Sequence, residues 1–318
     1  MPATAKPTPD AAPTTFAVVI SSYNYRDYVI EAIESVLAQT RAASQLVVVD
    51  DGSTDGSDAL LRERYADDAR ITLVLGSNGG QLHALQRGMA SVTADVVCFM
   101  DSDDRWKPDY LAKVGAIYDA RTDVDFVFSD MQCFDQRQHV IAFHPRAIDL
   151  GYTALATFVL TVWYGVPTSA VSMRTAWARR VLDLPDAFRE DWRTSPDNCL
   201  VYGASVLGAR KYFLPTGSVE YRIHGKNAWS SRRSPEQGYH NFIKTRRLIA
   251  HYARVAGIDD TSCDIKACKL EYRTKPAPPW SETKRYARLI MMQRVWPAWK
   301  KWERAVSVLM HGWKSRRA

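Results

Sequence analysis

The feature that most restricts how this chain can fold is an alternation across its first 130 residues. Five short apolar runs recur there: "FAVVIS" (16–21), "QLVVVD" (45–50), "ITLVL" (71–75), "DVVCFM" (95–100) and "VDFVFS" (124–129). They are β-branched and continuous rather than alternating, the texture of strands covered on both faces. Between them lie "RDYVIEAIESVLAQT", "STDGSDALLRERYA", "GGQLHALQRGMASV" and "KPDYLAKVGAIYDA", with apolar residues three and four apart as in amphipathic helices. Ser53 or Asp55 can cap the second helix, and Pro108 suits the first turn of the fourth. Strands alternating with helices predict an α/β fold on a mostly parallel, Rossmann-like sheet flanked by helices.

A sheet of this kind binds ligands at the carboxyl ends of its strands. Here those ends run into Ser21-Ser22-Tyr23-Asn24, Asp50-Asp51-Gly52-Ser53, Ser77-Asn78-Gly79-Gly80 and Asp101-Ser102-Asp103-Asp104, so four polar clusters should face one crevice. Three neighbouring aspartates repel one another unless a hard divalent cation, Mg²⁺ or Mn²⁺, sits among them. The bland alternative is a solvated turn capping the next helix. Asp51 suits a base N–H or a ribose hydroxyl, and Tyr23 offers a stacking surface. "NGG" (78–80) opens a helix whose N–H groups favour an anion, which places Gly79 beside a phosphate. No GxGxxG or GxxxxGK[ST] occurs, so those two phosphate cradles are excluded.

Together "VVISSYNYRDYVIEAIESVLAQT", "VVVDDGSTDGS", "NGGQLHALQRGM" and "FMDSDDRWKPDYL" resemble the family 2 glycosyltransferases, closely over residues 16–130 and loosely over 160–230. The resemblance implies the nucleotide-sugar-binding GT-A fold and an inverting, metal-dependent transfer from a nucleotide-diphosphate sugar, of UDP type, to a saccharide or lipid-linked acceptor. Surface polysaccharide or glycoconjugate synthesis is the implied setting. It further implies that Ser21, Tyr23 and Asp51 hold the nucleoside, that Asp101 contacts ribose or diphosphate, and that Asp103 is the main metal ligand, with Asp104 extending the motif. His224 in "YRIHGKN" is similar to a segment that closes over the diphosphate, where it would ligate the metal or donate to a phosphate oxygen. Relatives place Arg-Asn where this chain has Leu85 and Gln86, so one donor contact is missing or changed.

In-line sugar transfer also needs a carboxylate to take the acceptor proton opposite the metal. Asp197 in "SPDNCLVYGAS" is favoured by its place at the start of an amphipathic helix. Asp191, in "FREDWRTS" on the preceding loop with Glu190, is favoured by letters alone. Trp163 and Trp229 offer faces for sugar rings, with core packing as the competing role.

Charge concentrates at the C-terminal end. Residues 280–318 hold ten Lys and Arg against Glu282 and Glu303, a net +8 where the whole chain is +7, so the rest is −1. Two helices separated at Pro297 carry Leu289, Met292, Trp296, Trp299, Trp302, Val306, Leu309 and Trp313 among those cations, the pattern of an interfacial membrane segment. The expected organisation is a disordered stretch 1–14, a nucleotide-sugar half 15–130, an acceptor half 131–272, and a linker with a basic helical tail over 273–318. "MPATAKPTPDAAPTT" has no apolar leader core, and the five cysteines are scattered, which together suggest a cytoplasmic chain, peripheral at the inner face of the cell membrane. A metal-dependent nucleotidyltransferase would need a basic phosphate clamp at the crevice. A nucleic-acid-binding role for the tail, the other rival, is disfavoured by the neutral body, so no nucleic acid is expected.

Overall fold

A computed structural model describes residues 12–225, 234–293 and 295–315. Each of the five apolar runs is a strand, and each intervening segment a helix. In order these are β1 (Phe16–Ser22), α1 (Val29–Leu37), β2 (Gln45–Asp50), α2 (Ser57–Tyr65), β3 (Ile71–Leu75), α3 (Gln81–Met89) and β4 (Val96–Asp101). The short β5 (Arg105–Trp106), then α4 (Tyr110–Ala120) and β6 (Phe126–Asp135), follow. All seven residues of β1 are buried, as its unbroken apolar run requires. Gly88 lets α3 lie close on the sheet, since a Cβ there would stand 2.6 Å from Val19 Cγ1. Asp55, one residue outside the N-cap Gly56, accepts from the Ser57 N–H at 3.0 Å and so opens α2. Pro108 falls just before the α4 N-cap, Asp109, rather than inside the first turn.

The second half adds β7 (His139–Ile141), β8 (Ile148–Gly151), α5 (Ala154–Leu160), β9 (Val171–Arg174), α6 (Thr175–Leu182), α7 (Ala187–Asp191), α8 (Asp197–Val206), β10 (Lys211–Ile223) and α9 (Pro235–Ala256). The sheet runs β3-β2-β1-β4-β9-β6-β10-β5, with β7 on β6 and β8 on β10. Strands β1 to β4 pair in parallel, and β9 runs antiparallel between β4 and β6. "KYFLP" and "SVEYRI" belong to the single strand β10. Its ladder with β6 shifts register between Leu214 and Val219, where Pro215 has no N–H to give and Gly217 takes φ +64°.

Helices α10 (Ile265–Arg273), α11 (Trp280–Met291) and α12 (Ala298–Ser315) complete the chain and pack on one another. The expected linker 273–282 is no free tether. Lys275 is buried and donates from Nζ to the carbonyls of Leu150 and Tyr152, the latter at 2.7 Å. Glu271 of α10 accepts from the Leu155 and Ala156 N–H groups at the start of α5, at 2.9 and 3.2 Å, and from the Tyr286 hydroxyl at 2.6 Å. These bonds satisfy orphan donors of α5 and fasten the last three helices to the body. All five cysteines are free and buried.

Candidate active site

The four polar clusters do face one crevice. A cavity of about 880 Å³ is walled on one side by Ser21, Tyr23, Asp51, Asp101 and Asp103, and on the other by Arg193, Ser195, Asp197 and Asn198. That volume is within the range of small-molecule sites. The first wall is made of strand ends and is stitched together by side chains. Asp50 accepts from the Gly52 and Ser53 N–H groups at 3.1 and 2.9 Å, which closes the turn after β2. Asn24, at φ +56°, accepts the Thr54 N–H through Oδ1 at 2.7 Å and links the β1 and β2 ends. Tyr23 is 45% exposed and stands free for a face-on contact. Ser22 and Ser102 line the cavity with buried hydroxyls that have no partner among the described residues.

The anion expected at the start of α3 belongs to the chain itself. Asp51 is buried and takes the N–H groups of Gly79 and Gly80 at 3.0 and 2.7 Å, with Arg87 Nη1 at 3.7 Å. Gly79 therefore points its donor at Asp51, and it is not among the residues lining the cavity. The aspartate shapes this turn and also lines the cavity.

Oxygen atoms of Asp101, Asp103 and Asp104 converge within 4.8 Å of one another. The three differ in what else they do. Asp104 is buried behind the wall, accepting from Ser169 Oγ on one oxygen and from the Arg222 N–H on the other at 2.9 Å. Ser169 Oγ also accepts the Asp101 N–H at 3.0 Å, so one hydroxyl ties the Asp104 carboxylate to the Asp101 backbone. Asp103 opens to the cavity, and its Oδ2 lies 2.9 Å from His224 Nε2. His224 is stacked on Tyr28, with ring centres 5.3 Å apart, and this fixes the imidazole beside the carboxylate. Burial, then Asp103 and Asp197, hold the Asp101 carboxyl well above the usual range; burial, then Asp103 and Asp101, do so for Asp104. Such crowding is what a cation would relieve. The three converging carboxylates fit Mg²⁺ or Mn²⁺, and His224 lies outside that set, meeting it through Asp103.

The two candidate bases separate. Asp197 begins α8, lines the cavity, and sits near enough to Asp101 to raise its pKa. Asp191 ends α7 rather than lying on a loop, pairs with Arg247 Nη1 of α9 at 2.9 Å, and is not among the cavity-lining residues. Glu190 points outward and meets Arg193 at 3.5 Å. Trp163 is not a lining residue; it packs edge-on against Tyr202 with ring centres 5.2 Å apart. Trp229 lies outside the described residues. Leu85 is buried, and Gln86 donates to the Leu182 carbonyl at 2.8 Å, so both serve packing.

Gln81 is the residue the sequence reading missed. Its Nε2 donates to Asp101 Oδ1 at 2.5 Å, and its Oε1 accepts the Ser195 N–H at 3.3 Å, joining the two walls. The Gln81 N–H donates to the Arg193 carbonyl at 2.7 Å. Gly80, at φ +89°, makes this approach feasible, since a Cβ there would lie 2.9 Å from the Arg193 oxygen. Nothing in "NGGQ" signalled a cross-wall contact, because Ser195 is 114 residues away.

The comparisons with known proteins agree with this geometry. The family model "Glycosyl transferase family 2" matches residues 17–175. An uncharacterized glycosyltransferase of a Nostoc strain is 33% identical over 229 residues, spanning 69% of this chain and 67% of that protein. The putative teichuronic acid biosynthesis glycosyltransferase TuaG of Bacillus subtilis is 39% identical over 98 residues, 30% of this chain and 39% of its own. The structure of residues 1–349 of S. aureus TarS with UDP-GlcNAc superposes with a TM-score of 0.57 at 16% identity, covering 95% of this chain and 91% of TarS. That likeness shows the fold, which is of the GT-A type. By the family model and by the Nostoc relative alike, the chain belongs to glycosyl transferase family 2.

Proposed function

We propose that this glycosyltransferase moves a sugar from a nucleoside-diphosphate donor, of UDP type, to a hydroxyl of a saccharide or lipid-linked acceptor, with inversion at the anomeric carbon. The observation that carries the reading is the cavity with nucleotide-suited groups on one wall and the Asp197 carboxylate on the other. Ser21, Tyr23 and Asp51 hold the nucleoside, with Tyr23 stacking on the base. Asp101 and Asp103 would hold Mg²⁺ or Mn²⁺ at the diphosphate, with His224 beside Asp103 to donate to a phosphate oxygen. The ion, when bound, neutralises charge on the departing nucleoside diphosphate. Asp197 accepts the proton of the acceptor hydroxyl. The new oxygen–carbon bond forms on the face opposite the phosphate as the carbon–oxygen bond to the diphosphate breaks, which inverts the centre. A phosphoryl enzyme is less well served, since Arg193 is the lone cation among the described lining residues.

TuaG carries teichuronic acid biosynthesis in its name, and the 30%-identical ExoO of Rhizobium meliloti carries succinoglycan biosynthesis. Both point to a surface polysaccharide or glycoconjugate as the product here. Among the described residues no helix is long and apolar enough to cross a membrane. Contact with the inner face of a membrane through residues 281–318 is therefore read as peripheral. The reaction is tested by letting water replace the acceptor. Proton NMR of the sugar freshly released from an α-linked donor should show the β anomer, and first release of the α anomer would contradict inversion.

A further inference from the structure

The exposed face of α12 is built in two parts. At about 100° per residue, Trp299, Trp302, Val306, Met310 and Trp313 fall on one arc of the helix. They stand 45–64% exposed, while Ala305, Val308 and Gly312 on the opposite side are buried. Met310 takes the place that the spacing assigned to Leu309, which is turned partly into the core. Beside this apolar ridge lies a groove of about 350 Å³ between α10 and α12, lined by Lys269, Arg273, His311 and Lys314 with Glu303 as its one carboxylate. Val306 and Met310 belong to both ridge and groove. Glu303 meets Arg304 at 3.7 Å. Burial, then the Arg273 and Arg304 charges, push the Lys269 ammonium down from its usual range. A concave cluster of cations is thus left short of anions, at the foot of a row of indole and aliphatic side chains. The groove shares no residue with the catalytic cavity.

We propose that this groove binds the phosphate of an anionic phospholipid headgroup while the adjoining ridge enters the lipid interface. The inference rests on reading residues 281–318 as a membrane contact, and it names the ligand and the residues. Lys269, Arg273 and Lys314 meet the phosphodiester oxygens, and Trp299 and Trp302 lie at the level of the glycerol and upper acyl chains, where amphipathic rings are stable. A nucleic acid would use the same cations but would leave a ridge of exposed Trp, Val and Met in water.

The test is co-sedimentation of the full chain with vesicles of phosphatidylcholine alone and of phosphatidylcholine mixed with phosphatidylglycerol. Binding should be tighter to the mixed vesicles. Lys269→Gln, Arg273→Gln and Lys314→Gln should each weaken that binding about fivefold, and together roughly a hundredfold, without changing donor turnover in solution. Trp299→Ala with Trp302→Ala should weaken binding to both vesicle types. Equal binding to the two compositions, or an unaltered triple variant, overturns the headgroup site while leaving a membrane contact standing. Absence of vesicle binding overturns both, whether inorganic phosphate, an oligonucleotide or a second copy of the chain is bound instead. Donor turnover is scored apart from all of these, so its loss would speak only to the catalytic reading.

Discussion

The two walls of the cavity are built by different means. The donor wall is a row of strand ends in which Asp50, Asp51, Asp104 and Ser169 spend their polar atoms on the backbone around them. The acceptor wall is the loop 192–196 and the first turn of α8, with Ser195 at φ +63° and few bonds to the sheet beyond those from α3. One wall is fixed by the sheet, and the other is tied to it through Gln81 and rests on the packing of α8 against α5, α6 and α9. In the proposed reaction the nucleotide contacts sit on strand ends, while the proposed base Asp197 starts a helix whose later residues are buried.

That contrast can be broken by substitution. Asp197→Asn should lower transfer by roughly 10²–10⁴-fold, the usual worth of a general base, and leave nucleotide affinity unchanged. If affinity falls equally, the walls do not divide the work. Gln81→Leu removes both side-chain bonds of Gln81 while leaving its N–H bond to the Arg193 carbonyl, and should cost roughly tenfold in kcat/KM, the size of one or two hydrogen bonds, with kcat and KM both moving. A change confined to KM would make Gln81 a donor residue only. Ser169→Ala should destabilise the fold by about 1–3 kcal/mol, measured by denaturant unfolding, because it strips partners from the buried Asp104 and the Asp101 N–H.

The smallest effect lies outside both walls. Arg41 beside Asp119 lowers that carboxyl to about 2 from its ordinary 3.8. The folded state holds this proton less tightly than the unfolded chain, so the pair stabilises above pH 4 and its contribution fades as pH falls toward 2. The carboxylate is 37% exposed, so the contribution lost should stay under about 1 kcal/mol. Asp119→Asn should flatten stability against pH over that window alone.

How much of this the sequence disclosed follows the same division. The donor wall was legible because each of its clusters ends a continuous apolar run, and strand ends in a parallel sheet must gather at one edge. The family resemblance set Asp101 and Asp103 apart as diphosphate and metal contacts, but nothing local showed the inward turn of Asp104, which depends on Ser169 from 65 residues on. The role of Asp51 in closing the α3 turn was hidden by the same distance, since its partners Gly79 and Gly80 are 28 and 29 residues away. On the acceptor side the sequence left Asp191 and Asp197 open. What parts them is Arg247, a residue of α9 brought to Asp191 by tertiary packing. The segment 273–282 reads as a linker from its prolines, yet Lys275 is buried under it, and no local pattern announces a buried lysine held by carbonyls.

The proposed transfer requires a divalent ion joining the Asp101–Asp103 edge to a nucleoside diphosphate. Calorimetric titration of UDP into the protein with and without Mn²⁺, repeated for Asp103→Asn, tests this most directly. Tight binding only with the metal, abolished in Asp103→Asn, is the predicted result. Equal UDP affinity with and without Mn²⁺, unchanged by the substitution, would contradict it.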